Sequence, residues 1–540
     1  MMNTNAVALV AAVTIPQRAA DIREIPRAIT WLQIRSDLIG DIPADWLRDN
    51  FPGKLLYTLQ SSRAGGEFDG PLNERHSRLA AAAKEYDLVE LECELDLTPD
   101  LLAAIPATKR LISWRGSATC ESDLHAVLHS ALGRIETTPA RYYRFVTCAS
   151  KTSDGLYPLL LLQRLKRADV IAYSDGPCGC WSRLLSPYFG APLIFGQLDH
   201  GQLDHGQLDR GQLDQGQLDQ GQLDNPDPQS GIPKVQRLIA DYGFPALSPL
   251  QKLYGMVGNR IFQSPSPRLH NAGYRLLNSP ALFLPFHTEN FQEFWEEMIQ
   301  TPAMSELGLS IEGLVIVSPY KEAALPVADV CSPMVRKVGA CNVFARQGDL
   351  WEASTTDPES IAKVKKAFPL KAAVVGCGGA GRAIAAALHE AGAEVTLVNR
   401  GWQRGHYAME LLRLPFVPLS EFRAERFDLV VNATPVGRDH DGFPFMIDSL
   451  RSGTQLVDLA YGAQPTPLVS TIMARGGSMI DGHDVLLMQV RKQFQIMTGM
   501  EMPAAIGRSA VLAGNTANFS FQDAILQSAP HSAETCECSF

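Results

Sequence analysis

Six residues, Gly376-Cys-Gly-Gly-Ala-Gly381, directly follow the apolar run Ala372-Ala-Val-Val375 and directly precede a helix-forming stretch, residues 382–390. This is G-x-G-x-x-G in a strand–turn–helix context, which receives the pyrophosphate of a dinucleotide. Gly376 permits the tight turn, Gly378 lets the backbone approach the phosphates, and Gly381 lets helix and strand pack closely. Gly379 and Ala380 complete the turn, and the helix N-terminus then faces the anion. The next strand, residues 394–398, ends in Asn399-Arg400 where a carboxylate would select an unphosphorylated ribose. A carboxylate would repel a 2′-phosphate; Arg400 can pair with it, and Arg404 adds a second charge. The cofactor expected is NADP rather than NAD. A third strand, residues 427–432, leads into Ala433-Thr-Pro-Val-Gly437. Ligands of such folds lie beyond the carboxyl ends of the strands, so Thr434 is expected to line the cofactor.

A second series of motifs is Leu253-Tyr-Gly-Met-Val-Gly258, Ser264-Pro-Ser-Pro-Arg-Leu-His-Asn271, Ser318-Pro-Tyr-Lys321, Gly339-Ala-Cys-Asn342, Thr356-Asp357, Asp458-Leu-Ala-Tyr461 and the segment from Gly482 to Gln489. Reducing a ketone by hydride needs a proton donor at the developing alkoxide, and Lys321 suits that role. In this order, and with the dinucleotide motif, residues 253–524 resemble shikimate dehydrogenase. The resemblance implies an α/β substrate domain, a Rossmann NADP domain and interconversion of 3-dehydroshikimate and shikimate. It makes Lys321 the catalytic acid/base and Asp357 the carboxylate beside it. It assigns Ser264 and Ser266 to the substrate carboxylate, Asn342, Tyr461 and Gln489 to its hydroxyls, and Gly482 to the cofactor.

Three segments depart from the family pattern. Val315-Ile-Val317 replaces N-V-T or S-V-T, Val343 replaces a threonine, and Thr355 replaces the Asn of N-T-D. Each lost hydrogen bond to a substrate hydroxyl would weaken binding by about 0.5–1.5 kcal/mol. Quinate or a deoxygenated analogue therefore stays open as substrate. A non-catalytic sensor of shikimate-pathway acids is the rival from another class, and retained Lys321 and Asp357 argue for the enzyme.

The elements ahead of residue 196 alternate short apolar runs with helix-length intervals. The runs are residues 6–15, 32–34, 55–59, 88–93, 110–114, 142–148, 170–173 and 192–195. Such alternation implies parallel βαβ units, and eight of them imply a TIM-like (β/α)8 barrel. Trp31-Leu-Gln-Ile-Arg-Ser-Asp37, Leu111-Ile-Ser-Trp-Arg115, Tyr142-Tyr-Arg-Phe145 and Ser182-Arg183 resemble, more loosely, the strand motifs of type I dehydroquinate dehydratase. The whole chain thus resembles the bifunctional dehydratase–dehydrogenase proteins. Arg35 and Arg183 match that family, but Arg115 stands at its catalytic His and Arg144 at its Schiff-base Lys. An imine needs an amine that can deprotonate, and a guanidinium does not. The barrel is therefore expected to lack dehydratase activity; the alternative is a true bifunctional enzyme in which Lys109 or Lys151, neither at the expected strand position, replaces the missing lysine. Its arginines, Arg35, Arg115, Arg144 and Arg183, either form a pocket for an anionic ligand or belong to a folded remnant.

The domains read as residues 1–195 (barrel), 196–230 (a linker of six G-Q-L-D-x copies), 250–367 plus 484–527 (substrate domain), 368–483 (Rossmann domain) and 528–540 (disordered tail). The net charge of −10 and the absence of a dense Lys/Arg cluster argue against nucleic acid and anionic membranes as partners. The longest apolar run is too short to span a bilayer. Ten cysteines without paired zinc-ligand spacing read as free thiols, so no metal is expected and the location expected is cytoplasmic. The partner expected is a small-molecule acid.

Overall fold

The computed structural model describes residues 7–116, 132–133, 137–198, 231–364, 370–438, 442–451, 453–462, 464–477 and 479–512. Most of the G-Q-L-D-x repeat and the whole of the tail lie outside them. By internal contacts the chain forms two compact units. The first comprises Met1–Leu253, Val257–Ser264 and Pro280–Ile311; the second comprises Tyr254–Met256, Pro265–Ser279 and Glu312–Phe540.

In the first unit, eight strands form a nearly closed parallel barrel: β1 (Ala8–Val13), β2 (Ile29–Arg35), β3 (Lys54–Thr58), β4 (Leu88–Glu92), β5 (Arg110–Gly116), β6 (Tyr142–Cys148), β7 (Val170–Asp175) and β8 (Leu193–Gln197). Each of the eight runs expected from the sequence overlaps one of these strands. The ladder runs continuously as β7-β6-β5-β4-β3-β2-β1-β8. Parallel strands covered on both faces are apolar almost throughout; Val10, Leu56, Leu111, Phe145, Ile171 and Leu193 share one buried cluster. Against that background Glu90 in β4 and Arg144 in β6 are conspicuous, because both are buried. The same unit contains β9 (Lys252–Gly258) in part, and all of β10 (Ala281–His287), every residue of which is buried.

β11 (Ser310–Ile316), which is in the second unit from Glu312 on, is followed side by side by β13 (Val343–Gln347), β14 (Leu350–Ser354) and β12 (Val330–Cys331) of that unit. β13 and β14 form an antiparallel hairpin in which Val343 faces Ser354. The following sheet contains β15 (Lys371–Val375), β16 (Glu394–Asn399), β17 (Phe416–Pro418), β18 (Leu429–Asn432), β19 (Gln455–Asp458) and β20 (Met479–Ile480), ordered β17-β16-β15-β18-β19-β20. Renumbered within this sheet the order is 3-2-1-4-5-6, the doubly wound dinucleotide-binding arrangement. Ala372 and Val374 enter one apolar cluster and Ala373 and Val375 another, so both faces of β15 are covered. The helix after the glycine-rich turn spans Gly379–Glu390, with Gly378 as its N-cap. It begins three residues earlier than the sequence suggests, because the last glycines of the motif are already helical.

Candidate active site

Local topology gathers the acid–base residues of the second unit. Lys321 lies in the turn that follows β11, Asn342 immediately precedes β13, and Asp357 follows β14. The Val315–Val343 and Val343–Ser354 pairings align these three ends. Ile316 N donates to Asn342 O at 2.9 Å, Asn342 N to Ser354 O at 3.1 Å and Cys341 N to Lys321 O at 2.8 Å.

The side chains then converge. Lys321 Nζ donates to Asp357 Oδ1 at 3.0 Å and Oδ2 at 2.8 Å. Asn342 Nδ2 and Gln489 Nε2 donate to Asp357 Oδ1 at 3.3 and 3.1 Å. Thr355 Oγ1 reaches Oδ2 at 3.5 Å. Asp357 is 2% exposed, so these donors replace the water its charge has lost. An ammonium carries three protons and Asp357 takes two of them. The third is left for an oxygen placed above the pair, which is the geometry a proton donor to a carbonyl requires.

A second layer steadies this cluster. Thr356 N donates to Asn342 Oδ1 at 2.8 Å, Asn342 Nδ2 to Thr356 Oγ1 at 3.0 Å, and Gln493 Nε2 to Thr356 Oγ1 at 3.3 Å. Gln489 Nε2 also donates to Ser360 Oγ at 3.1 Å. Sequence motifs pointed to Asn342 and Gln489 but not to Ser360 or Gln493, which have no neighbouring motif to mark them. Val315 and Val343 are buried opposite each other in the ladder. Packing accommodates their lack of polarity; Val317 is half-buried.

Ser264 and Ser266 are both buried. Ser264 belongs to the first unit, where its carbonyl accepts from Arg237 Nη2 at 2.8 Å. Ser266 opens the helix Ser266–Leu276 of the second. One turn along that helix, His270 is fully buried and stacks on Phe494 with ring centroids 5.9 Å apart. Burial pushes its pKa down to about 3, against a weaker upward pull from Gln493. The unfolded imidazole takes up a proton near its ordinary pKa of about 6.5, whereas the folded one does not. Its contribution is therefore intact above about pH 6.5 and falls by about 1.4 kcal/mol per pH unit toward pH 3. Denaturant titrations across this window are expected to show acid destabilisation, with a shallower slope in His270→Asn.

The glycine-rich turn has the shape of a phosphate cradle. Gly376 has φ of 107°, and a Cβ there would lie 2.9 Å from Ala433 O. A Cβ at Gly381 would lie 1.8 Å from Gly376 O, whereas one at Gly378 would meet nothing within 4 Å. The turn is thus closed on its protein side and open on its outer side. The N-cap glycine puts no side chain over the first N–H groups, including those of Gly379 and Ala380. A dinucleotide pyrophosphate fits this arrangement. A Cβ at Gly379 would lie 2.8 Å from Ala340 Cβ and 3.4 Å from Lys321 Cβ, so the phosphate turn and the lysine are contiguous.

At the end of β16, Asn399 Oδ1 accepts from Cys377 N at 3.2 Å and Nδ2 donates to Gly401 O at 2.8 Å. Its carboxamide ties strand to turn without a negative charge. Arg400 and Arg404 are exposed beside it. Thr434 Oγ1 donates to Asn432 Oδ1 at 2.7 Å, which fixes the turn after β18. A Cβ at Gly482 would lie 2.3 Å from Ala460 O and 2.8 Å from Tyr461 Cβ, so the helix Gly482–Thr498 starts directly against Tyr461. That helix also carries Gln489.

In the barrel, each expected arginine has a carboxylate partner. Arg35 pairs with Asp37 through bonds of 2.9 and 2.6 Å. Arg115 Nη1 donates to Asp175 Oδ2 at 2.9 Å, and Arg183 donates to Asp175 Oδ1. Arg144 Nη1 approaches Glu90 at 3.4 Å, Arg144 Nε donates to the Tyr173 hydroxyl at 3.1 Å, and the guanidinium lies 3.9 Å from the Phe195 ring centroid. Thr58 Oγ1 and Gln33 Nε2 donate to Glu90 Oε2 at 2.9 and 3.3 Å. Burial pushes the Glu90 carboxyl up, but Arg144 and Arg115 outweigh it and hold it below the usual carboxylate range. Asp175 is likewise held low by Arg183, Arg115 and Arg144 against its burial. Glu90, Tyr173 and Asp175 were not singled out in the sequence.

Lys109 and Lys151 of the first unit are tied to groups other than those around Arg144. Lys109 Nζ donates to Ala83 O at 2.7 Å and Tyr86 O at 3.0 Å. Lys151 Nζ lies 2.6 Å from Glu297 Oε1. Burial alone would lower the Lys151 pKa, but Glu297 raises it overall.

A family model described as type I 3-dehydroquinase matches residues 9–220, and one described as shikimate dehydrogenase substrate binding domain matches residues 256–344. The chain is 24% identical over 515 residues to the chloroplastic bifunctional 3-dehydroquinate dehydratase/shikimate dehydrogenase of Arabidopsis thaliana, covering 87% of this chain and 79% of that one. It is 33% identical over 288 residues to the shikimate dehydrogenase (NADP(+)) of Halorubrum lacusprofundi, covering 48% of this chain and 98% of the relative. The corresponding protein of Natronomonas pharaonis is 32% identical over 267 residues, with 46% and 95% covered.

Proposed function

Since the chain belongs to the shikimate dehydrogenase family and carries a type I dehydroquinase-like barrel ahead of that region, we propose that it is an NADP-dependent shikimate dehydrogenase with a barrel that does not dehydrate. The observation that carries the first half is the Lys321–Asp357 pair with Asn342 and Gln489 on the same carboxylate. Lys321 gives its third proton to the ketone oxygen as the alkoxide forms, or takes it back in the oxidative direction. Asp357 keeps the ammonium aimed. Asn342, Gln489 and Tyr461 hold the ring hydroxyls, and Ser264 and Ser266 hold the carboxylate.

When bound, the nicotinamide supplies the hydride. The chain's own part is to hold its pyrophosphate on the turn of Gly376, Gly378, Gly379, Ala380 and Gly381, to line it with Thr434 and Gly482, and to accept its 2′-phosphate at Arg400 and Arg404. Asn399 favours this reading, because a neutral carboxamide does not repel that phosphate. Purified protein is expected to form NADPH from shikimate and NADP faster than from quinate or with NAD. Turnover with quinate alone would move the substrate assignment; no turnover with any pairing would favour the sensor reading.

The barrel half rests on Arg144. A guanidinium held by Glu90 and Tyr173 cannot become the neutral amine that imine formation needs, and Lys109 and Lys151 are engaged outside the strand position. Purified protein supplied with dehydroquinate is expected to give no dehydroshikimate. Borohydride is expected to trap no covalent adduct. Either signal would sink this half while leaving the dehydrogenase assignment intact.

A further inference from the structure

Glu322 directly follows Lys321, and its carboxylate is shared between two arginines of different character. Oε1 lies 2.9 Å from Arg382 Nη1 and 3.8 Å from Arg404 Nη2. Arg382 is fully buried in the helix Gly379–Glu390. It donates to Val338 O at 2.8 Å, Gly339 O at 3.2 Å and Cys377 O at 3.3 Å, and its guanidinium lies 5.3 Å from the Tyr407 ring centroid. Arg382 is therefore immobilised and holds Glu322 in one place. Arg404 is the opposite: its side chain is 61% exposed, on the first turn of the helix Trp402–Leu412, which follows the end of β16.

We propose that Glu322 is a cofactor-discriminating residue, a fixed carboxylate that engages Arg404 until a 2′-phosphate takes it. This rests on Arg404 being a 2′-phosphate ligand. The buried arginine makes the exchange possible, because Glu322 keeps a charged partner after Arg404 leaves and no carboxylate is stranded. The competition lowers affinity for the phosphorylated dinucleotide and leaves the unphosphorylated one untouched, since NAD asks nothing of Arg404. Exposed pairs of this kind are weak and screened by salt. The expected effect is about two- to five-fold in Kd at low ionic strength.

The test is a double-mutant cycle on the full-length protein, reading Kd for NADP and for NAD by fluorescence titration in wild type, Glu322→Gln, Arg404→Ala and the double variant. Glutamine still offers Arg382 an oxygen acceptor. Glu322→Gln is expected to tighten NADP by about two- to five-fold, to leave NAD unchanged, and to do nothing in the Arg404→Ala background. A general loosening of the fold would move NAD and NADP together and in both backgrounds, which would overturn the proposal. So would unchanged or weaker NADP binding in Glu322→Gln. If Arg404→Ala weakens NADP while Glu322→Gln has no effect, the cofactor reading survives and the inference falls. If Arg404→Ala leaves NADP unchanged, both fall.

Discussion

Lys321→Ala is expected to lower kcat for shikimate oxidation by about 10²–10⁴-fold, the range that a positioned general acid or base contributes. Lys321 makes its side-chain bonds to Asp357, so its removal leaves that carboxylate with Asn342 Nδ2, Gln489 Nε2 and Thr355 Oγ1 as donors. The fold should therefore hold, and NADP should bind as before, because the pyrophosphate site is the backbone of the glycine-rich turn and not the Lys321 ammonium. The informative comparison is Lys321→Ala with Asp357→Asn. Both should lower kcat, but Asp357→Asn removes a charge that Lys321 faces in a buried setting. Loss of kcat with an unchanged Kd for NADP in Lys321→Ala would support the chemical role. Full activity in Lys321→Ala would refute it.

The second large effect concerns stability rather than turnover. Arg144→Ala is expected to destabilise the barrel by about 3–5 kcal/mol, because Glu90 would be left as a buried charge without its ion-pair partner. The packing lost from the Phe195 and Tyr173 rings adds to this. Arg144→Met combined with Glu90→Leu should be far milder, since replacing a buried pair by apolar groups of similar volume is often neutral or stabilising. Denaturant unfolding followed by the intrinsic fluorescence of the barrel tryptophans would measure both. If the single and double variants were equally destabilised, the guanidinium would be acting through its volume and not through its charge. Acid should weaken the barrel too. Glu90 and Asp175 have carboxyl pKa values below the usual range, so they contribute stability above about pH 4 that is lost as pH falls through their lowered values.

How much of this was legible in the sequence depended on distance along the chain. The eight barrel strands and the first strands of the nucleotide sheet could be read because apolar runs are local. The glycine-rich turn was readable for the same reason. Lys321 and Asp357 were found only because a family resemblance supplied the pairing; nothing local says that residues 36 apart will meet. The barrel arginines show the limit. The positions of Arg144 and Arg115 were visible, but their partners lie 54 and 60 residues away, and so an anion pocket and a neutralised interior looked alike. One signal was available: Glu90 sits in Leu88-Val-Glu-Leu-Glu92, a strand whose five residues are all buried. A carboxylate in such a strand calls for a cation across the barrel.

The paired interior of the barrel also bears on the substitutions it tolerates. With Glu90 against Arg144 and Asp175 shared by Arg115 and Arg183, the residues form interlocked sets in which single steps are penalised. A lysine placed at position 144 would face Glu90, which favours its charged form. A histidine placed at position 115 would leave Asp175 with one cation fewer. Charges in the barrel interior are thus coupled: a substitution at one member of a set has to be matched at its partner to keep the interior neutral.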